Sequence, residues 1–447
     1  PTGMKVTEPP SEAELEAIVS QPRIRRWPVG IAAVAGLVLF FAGVWLGLEG
    51  RDRAPDPAAD LSVPSTSSLV VLPFLTLGEG SRGEYLGEGI ANQLLGALSG
   101  VPGLRLVART SAFAFPEAAA DLVAVAEELE VDALLEGSVE RSSGVLELAL
   151  RLVRVGGGDS VWSRSYRLPE EDFFRGLDDV ARSVAGALGS PTQGGRRGVL
   201  LRPLTRSFPA YEDYLRGQHL ARRGTRSALE SALEHYHKAL LLDPDFPLAW
   251  AGLAMAYVLL PEAGGPPIAE ILPYARAALE HVRLLGEDVP EGFAASAYLK
   301  WAYLWDLPGA EADFRRSIEL DPSNPTTRYW HAQLLGTRRH FDEALVEAHR
   351  ALELDPRSAS AHMTLGLVLM CAGQDGAADA LERALELAPD IHPAAYALGG
   401  LLAMQGDLEG AGRAFARFSS LTGTDGSVFR AYLAAVGDPS RRPEAVA

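Results

Sequence analysis

Cysteine is nearly missing from this chain: Cys371 is the single one in 447 residues. It cannot close an internal disulfide, and no Cys/His set accompanies it at zinc-ligand spacing, so neither a disulfide framework nor a metal site is indicated. Positive charge is also scarce. Against 58 Asp and Glu stand 41 Lys and Arg, giving a net charge of −17. Wrapping nucleic acid takes a basic surface that releases phosphate counterions, so this balance argues against such a partner. Catalytic signatures are thin as well. The stretch from Gly78 to Gly83 lacks the Lys-Ser/Thr of a phosphate-binding loop and the spacing of a dinucleotide fingerprint. Glu79, Glu84 and Glu88 around it would repel phosphate. His235 and His237 are two apart on a predicted helix and point to different faces, while His331, His340 and His349 are spread along the chain. No nucleophile stands with a base. The expectation is a non-enzyme without cofactor or metal. What is present fits a globular chain: 47% hydrophobic and 22% charged residues.

One long apolar run is present. Trp27 to Leu48 carries no charge over 22 positions, and at ~1.5 Å per residue it crosses a hydrocarbon core of ~30 Å. A membrane-spanning helix is expected at 27–49. The run is long for a cleaved leader, and no small-residue cleavage site follows it. Arg23, Arg25 and Arg26 precede it, and Arg51 and Arg53 follow. That bias sets the N-terminus in the cytoplasm and the bulk of the chain in the periplasm of a bacterial inner membrane. Ala32, Gly36, Gly43 and Gly47 fall on one side of the helix and suit close approach of a second membrane helix. Residues 1–26 read as a cytoplasmic tail with a short helix from about Ser11, where Ser11 and Glu14 have capping-box spacing. On so short a tail, no enzymatic or DNA-binding domain is expected ahead of the span.

Residues 50–67 are rich in Pro, Ala and Ser and read as a linker. A compact unit is expected at 68–190. SLVVLPF (68–74) is a buried-type strand run, and 84–100 carries Leu86, Ile90, Leu94 and Leu98 at helical spacing. LRLVAR (104–109) reads as a strand and 121–130 as a helix. The runs 132–141 and 145–155 flank a Ser-Ser-Gly turn and predict a hairpin, with a further strand at 160–168. The stretch 170–189 predicts a helix with Phe173, Leu177, Val180 and Val184 inward. The order implies a mixed sheet with helices on it. An Arg-rich linker is expected at 191–208.

The rest of the chain is periodic. LLLDPD (241–246), IELDPS (318–323), LELDPR (352–357) and LELAPD (385–390) recur, and Pro322, Pro356 and Pro389 keep a spacing of about 34 residues. Such a period marks helix pairs that bury their apolar faces only by stacking. Repeats are expected over 209–425, with a capping helix and tail over 426–447. The segment 260–308 departs from the pattern through the insert LPEAGGPP and the aromatic run Ala294–Trp305.

Two resemblances follow from these residues. LPF, EYLGEGIANQLLGAL, LRLVARTSAFAF, ALLEGSVER, LRLV and VWSRSY resemble the TolB-amino-terminal-like domain, which in bacterial proteins stands between a membrane anchor and tetratricopeptide repeats. Ala232, Tyr236, Ala239 and Pro244, then Trp250, Leu253, Ala254 and Tyr257, resemble those repeats themselves. Ala310, Phe314 and Pro322, and Leu365, Gly366, Leu381 and Pro389, continue the match, as do Leu398, Gly399, Ala411 and Phe415. The resemblance implies that the first helix of each pair lines a concave face. It sets Met255, Tyr329, Gln333, Met363, Met370, Tyr396 and Met404 near a groove, with Tyr298, Trp301 and Trp305 of the aromatic run as further contact candidates. The Lys and Asn clamp of chaperone-binding members has no counterpart here.

The expected fold class is α+β: one membrane helix, a mixed-sheet α/β domain, then an all-α solenoid. The expected function is a scaffold that binds other proteins as a structural subunit of a larger membrane complex, with a respiratory or photosynthetic assembly as one such host. A sensor whose α/β domain binds a ligand is the rival reading.

Overall fold

A computed structural model describes residues 68–77, 84–99, 101, 104–107, 129, 131–155, 160–188, 205–286 and 288–437. The expected tail, membrane helix (with Ala32, Gly36, Gly43 and Gly47), first linker, glycine-rich turn and, apart from residue 129, the 121–130 helix lie outside these residues. Among the described residues, no helix is long and apolar enough to cross a membrane.

The first part is a mixed sheet with helices on it. Its strands are β1 (Ser68–Val71), β2 (Leu75–Leu77), β3 (Arg105–Val107), β4 (Ala133–Ser142), β5 (Val145–Arg154) and β6 (Ser160–Pro169). The order across the sheet is β3-β1-β4-β5-β6. β1 and β2 both run parallel to β4, one beyond the other, separated by a segment holding Pro73, which has no N–H to donate. β4 and β5 form the hairpin that the sequence predicts, closed at Ser143 and Gly144. Both have positive φ, 49° and 77°, which matches the right-handed twist of the flanking strands. β5 alternates from Leu146 to Leu152, and the alternation breaks at buried Val153, beside a register shift. Leu146, Leu148, Leu150 and Leu152 are buried, while Glu147, Ala149 and Arg151 face out. Two helices cover the buried face: α1 (Glu84–Ser99), through Leu86, Ile90, Leu94 and Leu98, and α2 (Phe173–Ala187), through Phe173, Leu177, Val180 and Val184. All eight are the residues expected to point inward.

The second part is a series of helix pairs. They are α3 (Phe208–Ala221) with α4 (Arg226–Leu242), α5 (Pro247–Leu259) with α6 (Ile268–Leu284), and α7 (Pro290–Leu299) with α8 (Leu307–Leu320). Then follow α9 (Pro325–Thr337) with α10 (Phe341–Leu354), α11 (Ala359–Ala372) with α12 (Ala377–Leu387), α13 (His392–Gln405) with α14 (Leu408–Thr422), and a final α15 (Ser427–Gly437). First helices of neighbouring pairs touch, as α5 with α7 and α9 with α11.

The recurring Leu-Asp-Pro is turn chemistry. Asp321 ends α8, and its Oδ1 accepts hydrogen bonds from the Ser323 backbone N–H (3.1 Å) and hydroxyl (2.7 Å). The next helices then start on side-chain caps: Asn324 accepts from the Thr327 N–H and Ser358 from the Ala361 N–H, both at 3.2 Å. The stacking signature is equally physical. Tyr236 on α4 is wedged between α3 and α5, where a Cβ on Gly217 or Gly252 would come within 2.6 or 2.7 Å of its ring. Only glycine admits that approach.

The irregular segment 260–308 resolves into two helix pairs with two local departures. The insert lengthens the turn between α5 and α6. A π-helical turn, Lys300–Leu304, extends α7 and ends at Trp305, which has a left-handed φ of 55°.

Candidate protein-binding surfaces

Chain segments 205–208 join the α/β part to the repeats, and they are packed, not free. Thr205 and Phe208 are buried. Thr205 Oγ1 donates to Asp243 Oδ2 at 2.5 Å, which ties this segment to the first Leu-Asp-Pro. Ser207 caps α3 through the Ala210 N–H at 3.2 Å. One continuous hydrophobic core then runs from Leu69 in the sheet to Leu299 in the third helix pair. Its bridge is aromatic: the Phe173 ring lies 5.1 Å from Phe208 and 5.7 Å from Tyr211. α1 crosses α3 where Gly89 meets Leu215, a contact with no room for a Cβ.

A polar cluster flanks this bridge. Tyr85 of α1 donates its hydroxyl to Glu212 of α3 at 2.5 Å. Arg141 of β4 donates to the same carboxylate oxygen at 3.0 Å and to Glu170 at 2.7 Å. Arg216, one helical turn beyond Glu212, donates to it at 2.7 Å and lies over the Tyr85 ring at 4.9 Å. Burial, reinforced by the hydrogen bond to Glu212, pushes the Tyr85 phenol up to about 12. Burial pulls the Arg141 guanidinium down, but the hydrogen bonds and charges of Glu170 and Glu212 outweigh it and leave it raised. Next to this cluster, Glu88 is within 2.8 Å of His219 Nδ1 and pairs with Arg222, whose guanidinium burial lowers to about 10. So the α/β part and the first repeat are clasped by charge as well as by apolar contact.

The residues expected near the groove all lie on first helices or the aromatic run, but their exposure differs. Tyr298 is buried, and its hydroxyl donates to Glu262 of the insert at 2.6 Å. Trp301 packs edge-on against Tyr298 at 5.6 Å. Tyr329 is half-buried beside Trp330, which packs on Tyr298 at 4.7 Å. Gln333 donates to Thr364 Oγ1 at 2.7 Å, linking neighbouring first helices. Met255, Met363 and Met370 are half-buried against the core. Three candidates stand in solvent: Trp305 at 71% exposure, Met404 at 68% and Tyr396 at 54%. The structure therefore uses the inner candidates to join repeats and presents the outer ones.

The clasp was not visible in the sequence. Only the Glu212–Arg216 spacing, four apart on a helix, hinted at it. The histidines behave as expected from their spacing: His235 meets Asp213 at 2.9 Å, while His237 meets the Tyr257 hydroxyl at 3.2 Å. Among the described residues, no group of three or more His, Cys, Asp or Glu is placed to hold a metal.

No family model matches the chain. Over 216 residues, 46% of this chain, it is 28% identical to a protein of Rhizobium meliloti (strain 1021) named "Putative adenylate cyclase 3". The chain spans 36% of that relative's length. Among solved structures it is similar to a tetratricopeptide repeat protein from Parabacteroides merdae, at 16% identity and a TM-score of 0.36, covering 52% of this chain and 89% of that one. It is also similar to PilW, a type IV pilus biogenesis factor, at 17% identity and a TM-score of 0.38, covering 47% and 92%. Overlaps at those scores decide nothing. The repeat identity of the array rests on its own helix pairing, its period and its Tyr236-type wedges.

Proposed function

We propose that the protein is a non-enzymatic scaffold, anchored by a membrane helix at 27–49 with its bulk in the periplasm of a bacterium, that holds protein partners as a subunit of a larger membrane complex. Its α/β part is read as a TolB-amino-terminal-like unit. The observation that carries the reading is the shared core from Leu69 to Leu299, with its clasp on Glu212. A partner held on the array is thereby fixed relative to the sheet, which is what a scaffold needs and a flexible tether does not give. The exposed Trp305, Tyr396 and Met404 supply apolar contact area of the kind that docking uses. The cyclase activity in the Rhizobium relative's name is not carried over, because the aligned stretch is a minor part of that protein.

The test is native mass spectrometry of the full chain extracted from its source membrane in mild detergent. A stoichiometric heteromeric complex is expected, and it should be lost in a Trp305→Asp, Tyr396→Asp double variant. A lone monomer in the unaltered protein would overturn the reading. Protection of the repeats from protease in intact spheroplasts, with cleavage only in broken ones, would overturn the orientation.

A further inference from the structure

A crevice of about 270 Å³ opens between α8 and α10, with α9 as its floor. His331 lines it from α9. That ring is only 4% exposed, yet neither of its nitrogens has a hydrogen-bond partner. A buried imidazole without partners carries an uncompensated desolvation cost. Glu347 on α10 faces it, with Oε1 3.8 Å from Nδ1, beyond hydrogen-bonding range. The other oxygen of Glu347 accepts from Arg328 at 2.8 Å. Burial works against ionisation of Glu347, but His331 and Arg328 beside it prevail and hold it below the usual carboxylate range. At the rim, Glu343 is exposed and paired only loosely, 3.9 Å from both Arg315 and His340.

Arg315, the one cation lining the crevice, is engaged elsewhere. It meets Glu311 at 2.5 Å. The crevice thus offers polar groups without close partners: one oxygen of Glu347, the His331 ring nitrogens, and the Glu343 carboxylate. Its remaining walls are apolar: Leu335 is buried, and Val346 is 68% exposed at the mouth.

We propose that this crevice receives a lysine or arginine side chain from a protein partner. The methylenes would lie along Leu335 and Val346, and the charged head would donate to Glu347, His331 and Glu343. An apolar side chain would leave His331 unpartnered, and an anion would face two carboxylates. The chain's net charge of −17 steers a basic partner toward it. The inference rests on the reading of the array as a partner-binding surface and names the chemistry of the partner.

The probes are Nα-acetyl-lysine amide, Nα-acetyl-norleucine amide and Nα-acetyl-glutamate amide, titrated into the full chain with 13C-labelled Ile, Leu and Val methyls. The lysine probe should shift the Leu335 and Val346 methyls saturably. The norleucine probe should not reach the same shift, and Glu347→Gln should weaken the lysine probe about tenfold. Glu343→Gln, at an exposed position that does not threaten folding, should weaken it about threefold. Equal binding of lysine and norleucine probes, preference for the glutamate probe, or no response at Val346 would each overturn the proposal. Because the readout is local to the crevice, its failure is distinct from a failure to find a complex by mass spectrometry.

Discussion

The two ends of the repeat array are joined in different ways. At the first joint, Phe173, Phe208 and Tyr211 are fully packed, and Glu212 collects hydrogen bonds from Tyr85, Arg141 and Arg216. At the last joint, Phe415 on α14 stacks on Phe429 of α15 at 4.5 Å and 9°. Yet α15 buries only Ala435 fully, and Val428 and Tyr432 are exposed. In a stacked array each unit is stabilised by its neighbours. The first unit has the sheet as a second neighbour, whereas among the described residues α15 packs on the α13–α14 side. The difference teaches that this array is anchored at its sheet end and most easily opened at the other.

The largest effect should come from removing the aromatic bridge. Phe173→Ala deletes a fully buried ring that touches both parts of the shared core, and it should destabilise by about 4 kcal/mol. Urea denaturation followed by hydrogen exchange checks it. The sheet and the pairs α3–α4 and α5–α6 should lose protection together. Loss confined to the sheet would break the comparison, because the joint would then carry no coupling.

The charged half of the joint is tested next. Glu212→Ala leaves the Tyr85 hydroxyl without its acceptor and takes one carboxylate from Arg141 and Arg216, which keep Glu170 and Asp213, and it should cost about 3 kcal/mol. Glu212→Gln keeps an oxygen acceptor and should cost about half of that. If both variants melt like the unaltered chain, the clasp contributes nothing and the joint is purely apolar.

Much of this architecture was legible and its joint was not, for a physical reason. The β4–β5 hairpin, the inward faces of α1 and α2, and the helix pairs are local patterns, set by alternation, helical spacing and turn residues a few positions apart. The Asp321 turn and the Asn324 cap are four-residue matters. The Tyr85–Glu212 contact spans 127 positions, and nothing near either residue announces the other. β2 was missed because three residues are too few to show a period. The π-helical turn before Trp305 was missed because Lys300–Leu304 reads as ordinary helix. The groove candidates lie on first helices or the aromatic run, but no local pattern told which of them join repeats, as Gln333 does, and which face solvent, as Met404 does.

Between the two ends, pH gives a handle that touches neither. Glu291 opens α7, and its Oε2 is buried without a hydrogen-bond partner. Burial raises its carboxyl to about 7. In the unfolded chain it titrates near its ordinary value, so the folded state favours the protonated form. The associated stability is fully present below the unfolded pKa and is lost as pH rises through about 7. Glu291→Gln should therefore leave stability unchanged near pH 4, and raise it by about 2–3 kcal/mol above pH 8. Denaturation midpoints across that range measure it. A variant with the same pH slope as the unaltered chain would show that Glu291 is hydrated.

The smallest effect belongs to the far joint. Phe429→Ala removes a half-buried ring stacked on Phe415 and near Tyr396 and Phe418. Its cost should be about 1–2 kcal/mol, less than for a fully enclosed aromatic because the ring already meets water. The loss should also be local. Hydrogen exchange should quicken in α15 and the end of α14 while α3 and the sheet keep their protection. That outcome would sharpen the contrast with Phe173→Ala, whose effect spreads through a core with neighbours on both sides. If Phe429→Ala instead lowers protection as far back as α9, the array is cooperative along its length, and the sheet end has no special part in holding it.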